Sequence, residues 1–121
     1  MDINILTLCD SAQDYNGKMV ITGTFDTISS YEFPAIHREM AIAIKISYGK
    51  DESIASTSSI SIKKADEDIF LMPLTQLPPI SNNFIVKLND IVIHKPGEYY
   101  VELNVGDITK HIPLHIIQVQ K

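Results

Sequence analysis

The chain has 121 residues, a hydrophobic fraction of 45% and a formal net charge of −5 at pH 7. Its length and hydrophobic fraction predict one domain, residues 1–121, with a core that needs no metal or disulfide cross-link. The negative charge argues against a nucleic-acid partner, because nucleic-acid affinity comes from cationic contacts to phosphates. The single cysteine excludes an internal disulfide, and the missing membrane span and leader segment predict a cytoplasmic protein without a membrane partner.

The first predicted strand, residues 3–9, is apolar on both faces, so we expect it to be covered on both sides. Cys9 at its end is interpreted as a small core side chain, since no nearby cation or helix N-terminus would activate a thiolate. The polar stretch 10–18 follows and predicts a connection, in which Asn16-Gly17 is a hairpin turn.

The second predicted strand, Met19–Ile28, alternates between apolar and polar residues. Met19, Ile21 and Phe25 fall on the same predicted face of this strand. Gly23 shares that face, and a glycine inside a strand indicates a bulge or the close approach of another part of the chain.

The next segment, residues 29–39, is predicted to be a loop, although it is rich in apolar residues. In one interpretation, Phe33 and Ile36 plug one end of the core. In the other, Tyr31, Phe33 and His37 form a recognition surface, because loops on a rigid scaffold commonly carry function. The sequence is compatible with both interpretations.

Alternation resumes over residues 40–48, and the small residues Ala41 and Ala43 on the second face leave room for another element to pack closely. Residues 54–64 are poor in apolar residues, which predicts an edge strand. Further along the chain, Asn89-Asp90 interrupts a strand pattern in the way that a bulge or kink does.

The last hairpin gives the clearest fold signal. Gly106-Asp107 fits a type II′ turn, which fixes the register of the two strands. This register sets Glu102 against His111 and Glu98 against His115 on the polar face. The two histidines are about 13 Å apart along the strand, so one metal ion cannot bind both. We interpret the pairs as cross-strand ion pairs on a solvated face.

The same return strand contains Pro113, which has no N–H for a ladder and therefore predicts a second edge strand. Seven or eight short strands, frequent turn signals and almost no helical periodicity predict an all-β fold. We expect a two-sheet antiparallel β-sandwich, either immunoglobulin-like or C2-like, and the pattern alone does not choose between these topologies.

Several segments resemble one known family: Cys9-Asp10 through Gly17-Lys18, Gly23-Thr24-Phe25-Asp26, Phe33-Pro34-Ala35 with His37, and the late Pro96-Gly97-Glu98-Tyr99. Members of that family have a first strand ending near Asp, a turn ending in Gly-Lys, and the patterns Gly-x-Phe-Asp and Phe-Pro-Ala-x-His. It is an uncharacterised family of short, stand-alone bacterial and phage proteins. The resemblance implies such an origin and a compact β-sandwich, and it brings no activity, cofactor or partner.

The sequence contains no nucleophile–base arrangement, metal-ligand spacing or phosphate-binding loop, which predicts a non-enzymatic binding or interaction module without a cofactor. Its partner would be a protein or a second copy of the chain, bound through residues 29–39 or through a sheet edge. The candidate binding surface consists of Asp10, Asp26, Tyr31, Phe33 and His37.

Three alternatives belong to other classes. Ca²⁺ prefers oxygen ligands, and two acidic groups offer them: Asp10, Asp14 and Asp26, or Asp66, Glu67 and Asp68. Carbohydrate binding is common among sandwiches, but the absence of Trp argues against it. For an enzyme, the best pair would be Asp26 with His37, which has no specific geometry behind it.

Overall fold

The structure, a computed structural model, describes residues 2–47, 58–65, 67–74 and 83–120. Two β-sheets pack face to face and enclose the main core. The strands in the described ranges are β1 (Asp2–Tyr15), β2 (Lys18–Phe25), β3 (Thr27–Ser30), β4 (Ala35–Ser47), β5 (Ser59–Lys64), β6 (Glu67–Pro73), β7 (Asn83–Ile93), β8 (Gly97–Val105) and β9 (Ile108–Gln118). The predicted all-β sandwich is confirmed.

The strands form a four-stranded sheet of order β2-β1-β4-β7 and a five-stranded sheet of order β3-β9-β8-β5-β6. These nine strands exceed the seven or eight expected, partly because a bend at Asp26 divides the predicted strand Met19–Ile28 between the two sheets. β3 runs parallel to β9, with Thr27 opposite His115. This pair departs from the predicted antiparallel pairing, which the other described strand pairs follow.

Strand order and one tyrosine favour the immunoglobulin-like alternative. The series β6-β5-β8-β9 corresponds to strands C′-C-F-G of that fold, and the neighbours β4 and β7 correspond to B and E. Near the start of β8, Tyr99 Oη donates a hydrogen bond to the Lys95 carbonyl oxygen at 2.7 Å, as the tyrosine corner of these domains does. The departure is β1, which is inserted between β2 and β4.

Both predicted edge strands are inner strands. β5 lies between β6 and β8, and β9 lies between β3 and β8. Pro113 is tolerated because β3 covers only the end of β9, from His115 onward. The His115 N–H points toward β3 and donates to the Asp26 carbonyl oxygen at 2.7 Å. The Pro113 nitrogen lies two residues earlier and faces the same side, beyond the end of the β3–β9 ladder. No ladder hydrogen bond is lost there.

The main core consists of alternating aliphatic side chains from both sheets. The largest that are fully buried are Leu8, Ile42, Ile44, Ile46, Ile60, Ile62, Leu74, Ile93, Leu103 and Leu114. Each stabilises the fold by roughly 1.5–3 kcal/mol when it leaves water. The apolar face predicted for residues 40–48 is buried over its described part. The last hairpin has the register that its turn predicts, with Tyr99, Val101, Leu103, Val105 and Leu114 buried, but Ile108 beside the turn is exposed.

A second apolar cluster lies on the outer face of the four-stranded sheet. Its buried members are Cys9, Ala12, Ala41 and Ala43, and Met19, Ile21 and Ile85 pack against them. The β1–β2 hairpin covers this face. The β1–β4 ladder ends at Cys9, and the hairpin tip returns to the start of β7, where Asn83 Nδ2 donates to Gly17 O at 3.2 Å. The stretch 10–18 is therefore mostly strand, not the predicted connection.

The hairpin can fold back because its side chains change faces midway. Leu8 and Phe25 lie opposite each other and pack in the main core, whereas Ala12 and Ile21 lie opposite each other in the outer cluster. A regular strand keeps residues four apart on one face. Between these positions, Gly23 has φ +68°, a conformation that glycine adopts without strain. The prediction that Ile21 and Phe25 share one face is wrong.

A second reversal occurs on β4 and β7. Leu88 and Ile91 are three residues apart and both pack against the main core, and Asp90 between them has φ +53°. The kink predicted here is confirmed. Opposite Ile91 on β4, His37 lies with its ring centroid 5.8 Å from that of Phe25. The two reversals together bring β2 and β4 side chains to one end of the sandwich.

Replacement of Gly23 by alanine should destabilise the fold more than replacement of Gly17. Both glycines have left-handed φ, +68° and +82°, which costs an L-residue about 1–2 kcal/mol. A Cβ at Gly23 would also overlap the Asp10 carboxylate, whereas nothing lies within 4 Å of a Cβ at Gly17. Urea unfolding of the two variants measures the difference. Equal losses would refute this order and show that the Asp10 carboxylate moves aside without cost.

Tyr99→Phe should lower the free energy of unfolding by about 1 kcal/mol, because the buried corner loses its hydrogen bond to Lys95 O. Tyr100→Phe is the matched control. The Tyr100 hydroxyl donates to Ala65 O at 2.8 Å in an exposed position, where water replaces the lost donor. Thermal unfolding of both variants tests this order, and a larger loss for Tyr100→Phe would refute the corner's role.

Candidate functional site

An open groove of about 320 Å³ lies where the two reversals meet. Strands β1, β2, β3 and β4 all contribute to it, so its walls come from both sheets. We name it the Phe25 groove. Its lining residues are Asp10, Gly23, Thr24, Phe25, Thr27, Ile28, Ser29 and His37.

The floor of the Phe25 groove is aromatic. Phe25 is half-buried and packs against the main core, which fixes its ring. The His37 imidazole lies beside it, with an angle of 43° between the ring planes. Thr24, Thr27 and Ser29 also line the groove, and the Thr27 hydroxyl donates a hydrogen bond to Asp26 Oδ1 at 2.8 Å. The groove therefore combines two tilted rings with residues that carry hydroxyl groups.

Asp10 supplies the one carboxylate of the Phe25 groove. It sits directly over Gly23, which has no Cβ to obstruct it. Within the described part of the chain, no hydrogen bond or ion pair engages this exposed carboxylate. The adjacent Cys9 thiol is buried, and burial, followed by the nearby Asp10 charge, raises its pKa. Cys9 is thus the inert core side chain that the sequence predicts.

The structure brings together two of the five predicted surface residues. Asp10 and His37 share the Phe25 groove. Asp26 lines an adjoining cavity of about 340 Å³, which shares Thr24 and Phe25 with the groove. Tyr31 lines a different cavity, of about 450 Å³, near the end of β9. Phe33 is half-buried and packs against the main core.

The predicted loop 29–39 is mostly strand. Its first two residues end β3, its last five begin β4, and only residues 31–34 connect them. The reason is pairing at both ends, since β3 joins β9 and Ala35 already pairs with β7. The core-plug interpretation is correct for Phe33 and wrong for Ile36, which is 54% exposed.

Sequence reasoning did not predict that Phe25, which packs against the main core, also lines the groove, and it missed the three hydroxyl residues Thr24, Thr27 and Ser29. Phe25 is part of the Gly-x-Phe-Asp segment, and that segment was the available signal. Its position opposite His37 depends on the two face reversals, and only the pairing of the strands reveals them.

A charged network occupies the outer face of the five-stranded sheet and confirms the predicted hairpin register. Glu102 accepts hydrogen bonds from Lys63 Nζ at 2.9 Å and Asn104 Nδ2 at 3.3 Å, and its Oε1 lies 2.8 Å from His111 Nε2. These hydrogen bonds lower the pKa of Glu102 to about 2, and the bond from Lys63 has the largest effect. The cluster joins β5, β8 and β9, so its main effect is to hold these strands together.

The Ca²⁺ alternative has few structural counterparts among the described residues. Across residues 2–47, 58–65, 67–74 and 83–120, no three His, Cys, Asp or Glu side chains form a group that could hold a metal ion. Of the predicted ligands, Asp14 accepts a hydrogen bond from the Gly17 N–H at 2.8 Å, and Asp66 lies outside the described residues. The same ranges contain no helix of the length and apolarity that a membrane crossing requires.

Fold and groove together define a β-sandwich with an aromatic groove at one end. The chain belongs to DUF6941, a family of unknown function whose profile matches residues 4–117. The predicted membership in an uncharacterised domain family is confirmed to that extent. Neither the search of curated proteins nor the search of solved structures found a match to the chain.

Glu102→Gln should make stability less dependent on acidic pH. The pKa of Glu102 falls from 4.5 to about 2 on folding, so its stabilising effect is complete above pH 4.5 and disappears as the pH falls toward 2. At pH 7 we expect a loss of roughly 1–2 kcal/mol, because its side chain is only 15% exposed. The difference in the free energy of unfolding between Glu102→Gln and wild type should disappear between about pH 5 and pH 2.

Urea unfolding across this pH range measures the effect. Glu98→Gln is the control, since Glu98 also pairs with a histidine, His115, at 2.5 Å but is 74% exposed. Exposed ion pairs contribute about 0–1 kcal/mol, so this variant should stay close to wild type at pH 7. A constant gap between Glu102→Gln and wild type down to pH 2 would contradict the assigned role.

Proposed function

We propose that this chain is a non-enzymatic binding module that recognises a protein partner through the Phe25 groove. The observation that carries the proposal is the convergence of Asp10, Phe25 and His37, which are distant in sequence, on one open groove with a fixed aromatic floor. A rigid apolar surface with a few polar groups around it is the usual composition of a recognition site.

The surroundings of the groove favour a macromolecular partner. Ser29 lines the groove, and its ladder neighbour Ile117 is 43% exposed. Tyr31, two residues further along the chain, is 54% exposed. These side chains extend the apolar surface beyond what a small ligand covers, and tyrosine is enriched at protein interfaces.

A sheet edge is the second route to a partner, and it would support self-association. β7 is an edge strand of eleven residues, with β4 as its described ladder partner. Ile36 and Val92 form an exposed cross-strand pair beside this edge. Edge strands of this length can add a strand from another chain.

The finer sequence predictions belong to the same proposal. We infer a bacterial or phage origin and a cytoplasmic location. The cytoplasm keeps cysteine thiols reduced, which is compatible with the buried free thiol of Cys9. Ca²⁺ and carbohydrate remain the alternative ligand classes for the module.

Photo-crosslinking in cells of the encoding organism tests the proposed surface. A photoreactive phenylalanine analogue at Thr24, which is exposed and lines the groove, should give a discrete adduct with a partner. The same analogue at Lys110, an exposed position on the hairpin of β8 and β9, is the matched control and should give none. His37→Ala should abolish the Thr24 adduct.

The outcomes separate the two routes. An adduct from Thr24 that is lost in His37→Ala supports the groove. An adduct of the chain with itself from an analogue at Val92 favours the β7 edge instead. Equal adducts from Thr24 and Lys110 would refute a specific surface at the groove.

A further inference from the structure

We infer that the Phe25 groove takes a single cationic side chain, an arginine or lysine, from a basic segment of a protein partner. This inference rests on the proposed function and names the chemistry of its partner.

The charge of the groove is the first argument. Asp10 contributes a carboxylate that no described group neutralises, and no lysine or arginine lines the groove. The adjoining cavity beside Phe25 adds a second acid, Asp26. A further cavity that Asp10 also lines holds one acid and one base, Glu39 and Lys87, whose formal charges cancel. With the chain charge of −5, Asp10 and Asp26 leave this region negative, which favours a cationic ligand.

The aromatic floor is the second argument. Phe25 and His37 present neighbouring rings at 5.8 Å, and a cation placed over an aromatic face gains further stabilisation. Arginine fits best, because its planar guanidinium stacks on a ring while its edge donates to a carboxylate. The hydroxyl oxygens of Thr24 and Ser29 can accept the remaining N–H groups.

The ordered aromatic ring is the third argument. Phe25 is half-buried and packs against the main core, so its ring is in place before a ligand binds. Asp10 extends from the paired strand, and its carboxylate lies over Gly23, where no Cβ obstructs it. A ring that is already ordered reduces the entropy that binding would otherwise cost.

The test uses the full chain against a displayed library of random peptides. Selected peptides should be enriched in arginine and lysine, and replacing the selected arginine by its uncharged analogue citrulline should weaken binding about tenfold or more. Asp10→Asn should cause a similar loss, and binding should weaken as salt rises. Asp107→Asn, at an exposed position in the turn between β8 and β9, is the matched control and should bind as wild type does. Unfolding midpoints verify that each variant is folded.

Each outcome decides the question. Basic peptides lost in Asp10→Asn and His37→Ala, but retained in Asp107→Asn, support the inference. Peptides that need His37 but show no basic preference overturn the inference and leave the proposed function standing. Basic peptides weakened equally by Asp10→Asn and Asp107→Asn overturn it as well, because the attraction is then nonspecific. Enrichment of no peptide over a control protein overturns both proposals.

Discussion

The structure depends on covering the outer face of the four-stranded sheet. β4 is apolar on both faces, since Ala41 and Ala43 are as buried as Ile42 and Ile44. One face packs on the second sheet, and the other would expose a hydrophobic surface if nothing covered it. The β1–β2 hairpin covers it by folding back, which the small alanines and the irregular backbone at Gly23 permit.

The Phe25 groove results from the same folding back of the β1–β2 hairpin. Where β1 and β2 reverse their faces, the hairpin leaves the plane of the sheet, and Asp10 lies at the corner. The second reversal, at Asp90, directs His37 to the same end. Residues such as Gly23 and Phe25 therefore serve the fold and the candidate site together, so a single substitution there affects both.

Local pattern predicted most of the fold and little of the site. Period-two alternation and the turns Asn16-Gly17 and Gly106-Asp107 are properties of neighbouring residues, and they predicted both turns and the last register correctly. The strand structure within 10–18 and 29–39, the opposite faces of Ile21 and Phe25, and the inner position of β5 depend on pairing between distant segments. For the same reason Asp10 and His37 could be nominated from sequence, but their convergence around Phe25 could not.

The parallel pairing of β3 with β9 determines when the Phe25 groove can form during synthesis of the chain. One wall contains Thr27 and Ser29, and the strand that holds this wall in the sheet is His115–Gln118. A ribosome must therefore release the chain through His115–Gln118 before that wall can form. Contacts between such distant segments form late and slowly. A nascent chain shorter than this carries Asp10, Phe25 and His37 without the wall that β3 supplies, so the groove is among the last features of the fold to form.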